Sequence, residues 1–241
     1  MTDPAARPVG LDEAYAISTP EDSRRLYARW AATYDADFVE RERYVYPRTV
    51  AALVAEALAT APPGDGPRDA SSPTVVDVGC GTGALGETLA ALRPDAAIDG
   101  LDISPEMLAV ARAKRRADGA PLYRALIVAD LAATPAAAPL ASLTGRYDVV
   151  TSVGTFTHGH LGPEVLATVV ALARSGGRLV VGINEAHFDA RGFAATLAAL
   201  IADGAVRDAT TTRVPIYLSG SPHAADTALV LTATARGTPL R

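Results

Sequence analysis

The sequence predicts an α/β three-layer sandwich, a mostly parallel sheet with helices on both faces. From residue 74 onward, short β-rich runs alternate with helical ones, which is the pattern of βαβ units and a parallel sheet. A glycine-rich stretch, VVDVGCGTGALG from Val75 to Gly86, joins the first of these strands to its helix, where open parallel sheets bind ligands. The last two β-rich runs leave no room for a crossover helix and therefore form an antiparallel pair.

Before the glycine loop the chain reads as helical. Thr19-Pro20-Glu21-Asp22 is a helix start, with a capping hydroxyl, Pro at the first position and acids in the first turn. That helix runs through RRLYARWAATY, and Pro47 opens a second, RTVAALVAEALA. A Pro-, Gly-, Ser- and Asp-rich loop, TAPPGDGPRDASSP, follows. The parallel strands are TVVDVG, AIDGLDI, LYRALIVAD, YDVVTSV and GRLVVGI. Between them stand ALGETLAALR, PEMLAVARAKRRA, a Pro/Ala-rich crossover at 132–141, and PEVLATVVALAR. FAATLAALIADG is a further helix, and AVRDATTTRVPIYL and TALVLTATAR make the closing pair. Near-continuous apolar strands such as LIVA fit a sheet covered on both faces.

The bulk properties bound the function. A chain of 241 residues suits one α/β domain, and 49% apolar residues can bury a large core. A net charge of −5 and a pI near 5.4 argue against a nucleic-acid partner. The basic run AKRRADG reads as a solvated helix end with favourable C-terminal charges. With Cys80 as the single cysteine there is no intrachain disulfide. The N-terminus lacks an apolar leader, and no run reaches the ~18 residues that span a bilayer. These features predict a cytoplasmic, soluble protein without a membrane partner, as a monomer or homodimer. Lys114, the sole lysine, among many arginines reads as the composition of a GC-rich genome.

The glycine stretch has two frames. Gly79, Gly81 and Gly83 give G-x-G-x-G behind Asp77, whereas Gly81, Gly83 and Gly86 give the G-x-G-x-x-G of dinucleotide sites. Asp102, 19 residues after Gly83 at the end of the second strand, suits ribose hydroxyls in either frame. Three features favour the first. Asp77 stands within the strand, where the dinucleotide pattern has an apolar residue and where a buried carboxylate needs partners, expected from backbone N–H groups. Asp130 ends the third strand, suited to an adenine amine. The closing antiparallel pair is foreign to the dinucleotide fold.

The succession VVDVGCGTG, GLDISPEML, VADL, YDVVTSVG and SGGRLVV, over about residues 75 to 183, resembles the class I S-adenosylmethionine-dependent methyltransferases. RWAATYDADF is similar to the lid of the ubiquinone/menaquinone-biosynthesis-type enzymes. Together with VGTFTHGHLGPEVL it resembles the Williams–Beuren-region type and its bacterial relatives. The resemblance implies a Rossmann-like, seven-stranded sheet in the order 3-2-1-4-5-7-6. It also implies one domain over 1–241, with a helical lid over 1–60 on a core over 74–241. The cofactor it implies is S-adenosylmethionine, leaving S-adenosylhomocysteine, and the substrate a small molecule methylated on O, N, S or C. Two alternatives stay open: a non-methylating use of the same cofactor, such as cyclisation, and a nicotinamide-dinucleotide oxidoreductase.

The cofactor set so implied is Asp77, Gly79, Gly81 and Gly83, with Asp102 on the ribose, Ile103 and Met107 flanking the adenine, and Asp130, Leu131 and Val153 completing the slot. Tyr27, Trp30 and Tyr34, at i, i+3 and i+7, form one helix face that serves both as packing stripe and as lid over the cofactor. Asp35 caps a helix or pairs with Arg29. His158 and His160 follow the fourth strand, where either suits a general base. They have no third ligand for a metal, so no metal is expected. Asn184, Glu185 and His187 follow the fifth strand as substrate-pocket candidates, and Cys80 is a small filler without chemistry.

Overall fold

A computed structural model of the chain describes residues 13–14, 17, 19–60, 72–133, 138–157 and 159–236. Helix α1 (Pro20–Trp30) starts where the sequence predicts, with the Asp22 N–H donating to Thr19 Oγ1 at 3.1 Å. It ends at Trp30, short of the expected Tyr34, and after a turn the backbone winds into a π-helical segment, Asp35–Glu40. Single π-turns are rare and gather at functional sites. Helix α2 (Tyr46–Thr60) buries Val50, Val54 and Ala57 on one stripe and lies against the sheet. Although it falls within the segment 1–60, α2 belongs to the sheet's covering layer, packed against β4 and β5.

The sheet has seven strands in the order β3-β2-β1-β4-β5-β7-β6, as the resemblance implies. They are β1 (Thr74–Val78), β2 (Ala97–Asp102), β3 (Ala125–Val128), β4 (Tyr147–Phe156), β5 (Ala173–Asn184), β6 (Val206–Pro215) and β7 (Thr227–Ala235). β7 runs antiparallel to both β5 and β6, so six strands share one direction. The helices between them are α3 (Ala84–Leu92), α4 (Pro105–Ala113), α5 (Ala138–Ala141), α6 (Leu166–Leu172), α7 (Glu185–Arg191) and α8 (Phe193–Ala202). α7 is unanticipated, and α4 stops at Ala113, so that Lys114, Arg115 and Arg116 adopt no helical turn. Instead Arg116 donates to the Pro94 and Ala96 carbonyls, and Lys114 reaches carboxylates.

Alternation along β1 divides the core in two. Val75 packs beneath α2 and α3, whereas Val76 and Val78 pack on the opposite face with Val150, Leu166 and Phe193. Both faces of the central strands are thus covered. LIVA departs from this expectation: β3 is an edge strand with a single neighbour, and Val128 is 53% exposed. Among the described residues, no helix is long and apolar enough to cross a membrane.

At the sheet's N-terminal end, buried Asp148 gathers three strands. It accepts from the Thr74 N–H at 2.8 Å, the Thr74 hydroxyl at 2.9 Å and Arg174 Nε at 2.7 Å. Asp148→Ala would leave Arg174 largely buried without its carboxylate. Urea unfolding should show a loss of about 3–5 kcal/mol, the range for breaking one side of a buried pair.

Candidate functional site

Strand order reverses between β1 and β4, which opens a crevice at the carboxyl ends of the strands. The loop between β1 and α3 lies there, and its backbone decides between the glycine frames. Gly79, Gly81 and Gly83 have φ of +71°, +52° and +99°, values that side chains other than glycine rarely adopt. Gly86 lies within α3 instead. A Cβ on Gly86 would stand 2.4 Å from the Tyr123 hydroxyl, and one on Gly79 1.9 Å from Thr155 Oγ1. A Cβ on Gly81 would meet nothing within 4 Å. Gly86 therefore makes room for a ring of the protein, while Gly81 presents bare backbone to open space.

Asp102, at the end of β2, fixes this loop. Its Oδ2 accepts from the Gly81 N–H and its Oδ1 from the Ser104 N–H, each at 2.8 Å. Burial raises its pKa, and these backbone donors offset part of the rise. Asp77 is 1% exposed. The Tyr123 hydroxyl donates to its Oδ2 at 2.8 Å, in place of the backbone N–H groups expected from sequence. Burial pushes the Asp77 carboxyl up to about 7, against the lowering effect of that hydrogen bond. Tyr123, just ahead of β3, was hidden in sequence within an apparently regular strand run.

The segment around α1 closes over this crevice as an aromatic row. Tyr27 stacks on Trp30 at 6.2 Å, Trp30 meets Tyr34 edge-on at 4.9 Å, and the row continues through Phe38 to Tyr44 and Tyr217. Three polar clasps fasten it to three different loops. Arg24 reaches Asp130 at 3.0 Å. Asp35 accepts from the Thr82 hydroxyl at 2.6 Å and from Lys114 at 2.8 Å, and Lys114 also meets Glu87 at 2.6 Å. The Tyr27 hydroxyl lies 3.0 Å from His160 Nε2. The expected Asp35–Arg29 pairing is replaced by these contacts, since Arg29 binds Glu13.

One cavity collects nearly all the residues singled out from sequence. Tyr27, Trp30, Tyr34, Asp77, Gly79, Gly81, Asp102, Ile103, Met107, Asp130, Leu131, Val153 and His160 line it. Gly83 stands behind, against the Tyr123 ring, as the N-cap of α3. His158 lies outside the described residues. Of the three candidates after β5 only Asn184 lines the cavity; its side chain also caps α7 by accepting from the His187 N–H. Glu185 is drawn away to Arg213 and Thr227, and the buried His187 ring meets the Leu161 carbonyl at 3.0 Å. Sequence reasoning missed Phe38, Tyr44, Tyr46, Thr82 and Tyr217, which also line the cavity. Their signal was faint: the tyrosine-rich YVY and IYL runs flank elements far apart in the chain. Among the described residues, no Lys or Arg side chain lines the cavity, and no group of three or more His, Cys, Asp or Glu is suited to a metal ion.

Residues 76–179 match a family model described as a methyltransferase domain. Among curated proteins, the chain is 34% identical over 106 residues to the ubiquinone biosynthesis O-methyltransferase of Xanthomonas axonopodis pv. citri (strain 306), covering 44% of this chain and 40% of that protein. The chain thus spans about 40% of the length of this relative. Among solved structures, magnesium protoporphyrin IX methyltransferase from Synechocystis PCC 6803 with bound S-adenosylhomocysteine aligns with a TM-score of 0.54. Its identity is 21%, over 93% of this chain and 98% of that one. The CurJ carbon methyltransferase aligns with a TM-score of 0.56 and 16% identity, over 90% of this chain and 61% of that one. At these identities the structural likeness concerns the fold.

The Asp77 environment has a consequence for stability. Its native pKa lies above the unfolded value of about 4, so its contribution is complete below that pH and is lost as the pH rises through about 7. Burial shifts Asp102 in the same direction. The thermal midpoint of the ligand-free chain should fall between about pH 5 and 7.5. Asp77→Asn, which keeps an acceptor for Tyr123, should flatten that fall. An unchanged slope in the variant would assign it to other groups.

Proposed function

We propose that this chain, which has the Rossmann-like fold of class I S-adenosylmethionine-dependent methyltransferases and matches a methyltransferase domain over residues 76–179, transfers the methyl group of S-adenosylmethionine to a small-molecule acceptor. The observation that carries this reading is the left-handed Gly79-x-Gly81-x-Gly83 loop with its open Gly81 face, tied by a hydrogen bond to the Asp102 carboxylate.

The residues fit the cofactor. Each Asp102 oxygen has one backbone donor in hand and keeps a lone pair for a ribose hydroxyl. Ile103, Met107 and Leu131 supply an apolar slot for the adenine, with Asp130 at its edge. Among the described residues, no cationic side chain faces the cavity. The methionine carboxylate would therefore rest on the backbone N–H groups of the first α3 turn, and the Trp30 indole N–H, buried and without a partner, offers a further donor.

When bound, S-adenosylmethionine supplies a methyl group already activated on a sulfonium. The chain's own task is then to align the acceptor, exclude water and accept a proton where one must leave. Alignment alone can contribute roughly 7–11 kcal/mol. The lid carrying Tyr27, Trp30 and Tyr34 excludes water, held down by its clasps to Thr82, Asp130 and His160. His160, beside the Tyr27 hydroxyl, is the base of this reading, with the hydroxyl able to relay the proton. In this reading the described residues work as one domain, those from α1 to Tyr44 as the lid and α2 with the sheet and its helices as the core. The relatives' names, an O-methyltransferase of ubiquinone biosynthesis and a methyltransferase of magnesium protoporphyrin IX, support a small-molecule acceptor.

Calorimetry should find tight S-adenosylhomocysteine binding and none of a nicotinamide dinucleotide. Methylthioadenosine as product, in place of S-adenosylhomocysteine, would overturn methyl transfer. Asp102→Ala should weaken S-adenosylhomocysteine binding at least about tenfold, and unchanged affinity would move the ribose elsewhere. With a hydroxylated acceptor, His160→Gln should lower kcat about 100-fold and abolish the acid limb of the pH–rate profile. A profile that keeps that limb removes His160 from proton transfer.

A further inference from the structure

Tyr123 stands ahead of the edge strand β3, yet its hydroxyl reaches β1, two strands away. Its backbone is clamped on both sides: the Leu122 N–H donates to the Lys114 carbonyl at 3.2 Å and the Arg124 N–H to the Ile98 carbonyl at 2.7 Å. Asp77 in β1 stands in register with Gly100 of β2. With no side chain at Gly100, the space beside the carboxylate on that strand is open, and the Tyr123 ring occupies it. A Cβ on Gly100 would stand 3.2 Å from that ring, and Cβ atoms on Gly83 and Gly86 would stand 3.0 Å from the ring and 2.4 Å from the hydroxyl. Three absent side chains thus form one slot, which delivers the hydroxyl to Asp77 Oδ2 at 2.8 Å.

Packing alone does not call for these groups. A Phe and an apolar residue would fill the same space without the cost of burying a carboxylate. That cost is visible in the Asp77 carboxyl, which stands at about 7 even with the hydroxyl's help. The carboxylate lines the cavity together with Gly79, Cys80 and Gly81. In the proposed function the cofactor's methionine carboxylate rests on the first turn of α3, and the carbon that bears it also bears an ammonium. An ionised Asp77 attracts that ammonium, whereas a neutral one does not.

The groups around Asp77 leave this task to Tyr123. Asp102 on β2 raises the Asp77 pKa further, and burial pushes the Cys80 thiol and the Tyr123 phenol well above their ordinary ranges. Thr151, in register on β4, is uncharged. Glu87 on α3 and Arg48 and Glu56 on α2 are exposed, and Arg124 is turned to Asp99. Among these groups, the Tyr123 hydroxyl favours the charged form by donating to it. We propose that Tyr123 is a positioning residue for cofactor binding: seated in the slot of Gly83, Gly86 and Gly100, it holds the Asp77 carboxylate ready for the ammonium of the bound molecule. The inference rests on the proposed cofactor.

Calorimetric titration of S-adenosylhomocysteine from pH 6 to 8.5 tests it, on the unmodified chain, Tyr123→Phe, Asp77→Asn and the double variant. Affinity for the unmodified chain should rise with pH as the Asp77 carboxyl, at about 7 in the free chain, ionises. Tyr123→Phe keeps the ring and deletes the donor, so the rise should move to higher pH. Binding is then at least about fivefold weaker at pH 7 and converges on that of the unmodified chain toward pH 8.5. Asp77→Asn should flatten the rise, and Tyr123→Phe should cost nothing further in that background, because the two side chains act as a unit.

Equal weakening of Tyr123→Phe at every pH, or a lower thermal midpoint with unchanged affinity, would make Tyr123 structural and overturn the inference. Additive losses in the double variant would do the same. Should Tyr123→Phe fail to fold, Asp77→Asn decides: a rise through pH 7 that persists in it belongs to Asp102, whose carboxyl is also raised by burial, and overturns the inference, while a flat profile sustains it. Absence of S-adenosylhomocysteine binding to the unmodified chain at every pH would instead strike the proposed function, and this inference with it.

Discussion

The site depends on one carboxylate at the end of β2. Asp102 accepts from the Gly81 N–H across the gap and from the Ser104 N–H on its own loop, so two loops from adjacent strands share one anion. The Gly79 and Cys80 N–H groups also donate to the Leu101 carbonyl beside it, so the end of β2 holds open a glycine loop with three residues in left-handed conformations. The arrangement costs burial of charge, visible in the raised Asp102 pKa. Backbone N–H groups, which carry no conformational entropy of their own once the strands are paired, offset that cost. The lid, the adenine slot and the aromatic chamber are all arranged around the space this pair of loops keeps clear.

Behind the loop, Tyr123 acts as a strut. Its ring lies against the positions where Gly83, Gly86 and Gly100 would otherwise carry side chains, and its hydroxyl meets Asp77. Two demands therefore converge on the glycines. Gly79, Gly81 and Gly83 need positive φ, and Gly86 and Gly100 need thinness. The apparent dinucleotide spacing of Gly81, Gly83 and Gly86 arises from the second demand, and a string match could not tell it from the first.

Local patterns were legible in the sequence because their causes are local. Strand runs, the Thr19 cap, the glycine loop and Asp102 each follow from residues a few positions apart, and all stand where the sequence puts them. What required the third dimension was convergence. Tyr44 and Tyr217 meet through a single bridge between distant segments, and Asp35 finds Thr82 and Lys114 because the π-turn re-aims it after α1 ends early. Glu185 read as a pocket residue because it follows β5. The Asn184 cap starts α7 there and leaves Glu185 facing Arg213 on β6. LIVA read as doubly covered because apolarity says nothing about whether a strand has one neighbour or two.

Lys114 first stood out only as a compositional oddity, yet it sits where the lid meets the first turn of α3, between Asp35 and Glu87. As the sole lysine, it is the chain's one side-chain amine, and its side chain is only 15% exposed. Arginine supplies every other fixed positive side chain and offers no comparable nucleophile. The arginine-rich composition therefore leaves this protein with a unique chemical address, and the address coincides with the seam between the lid and the first turn of α3 beneath it.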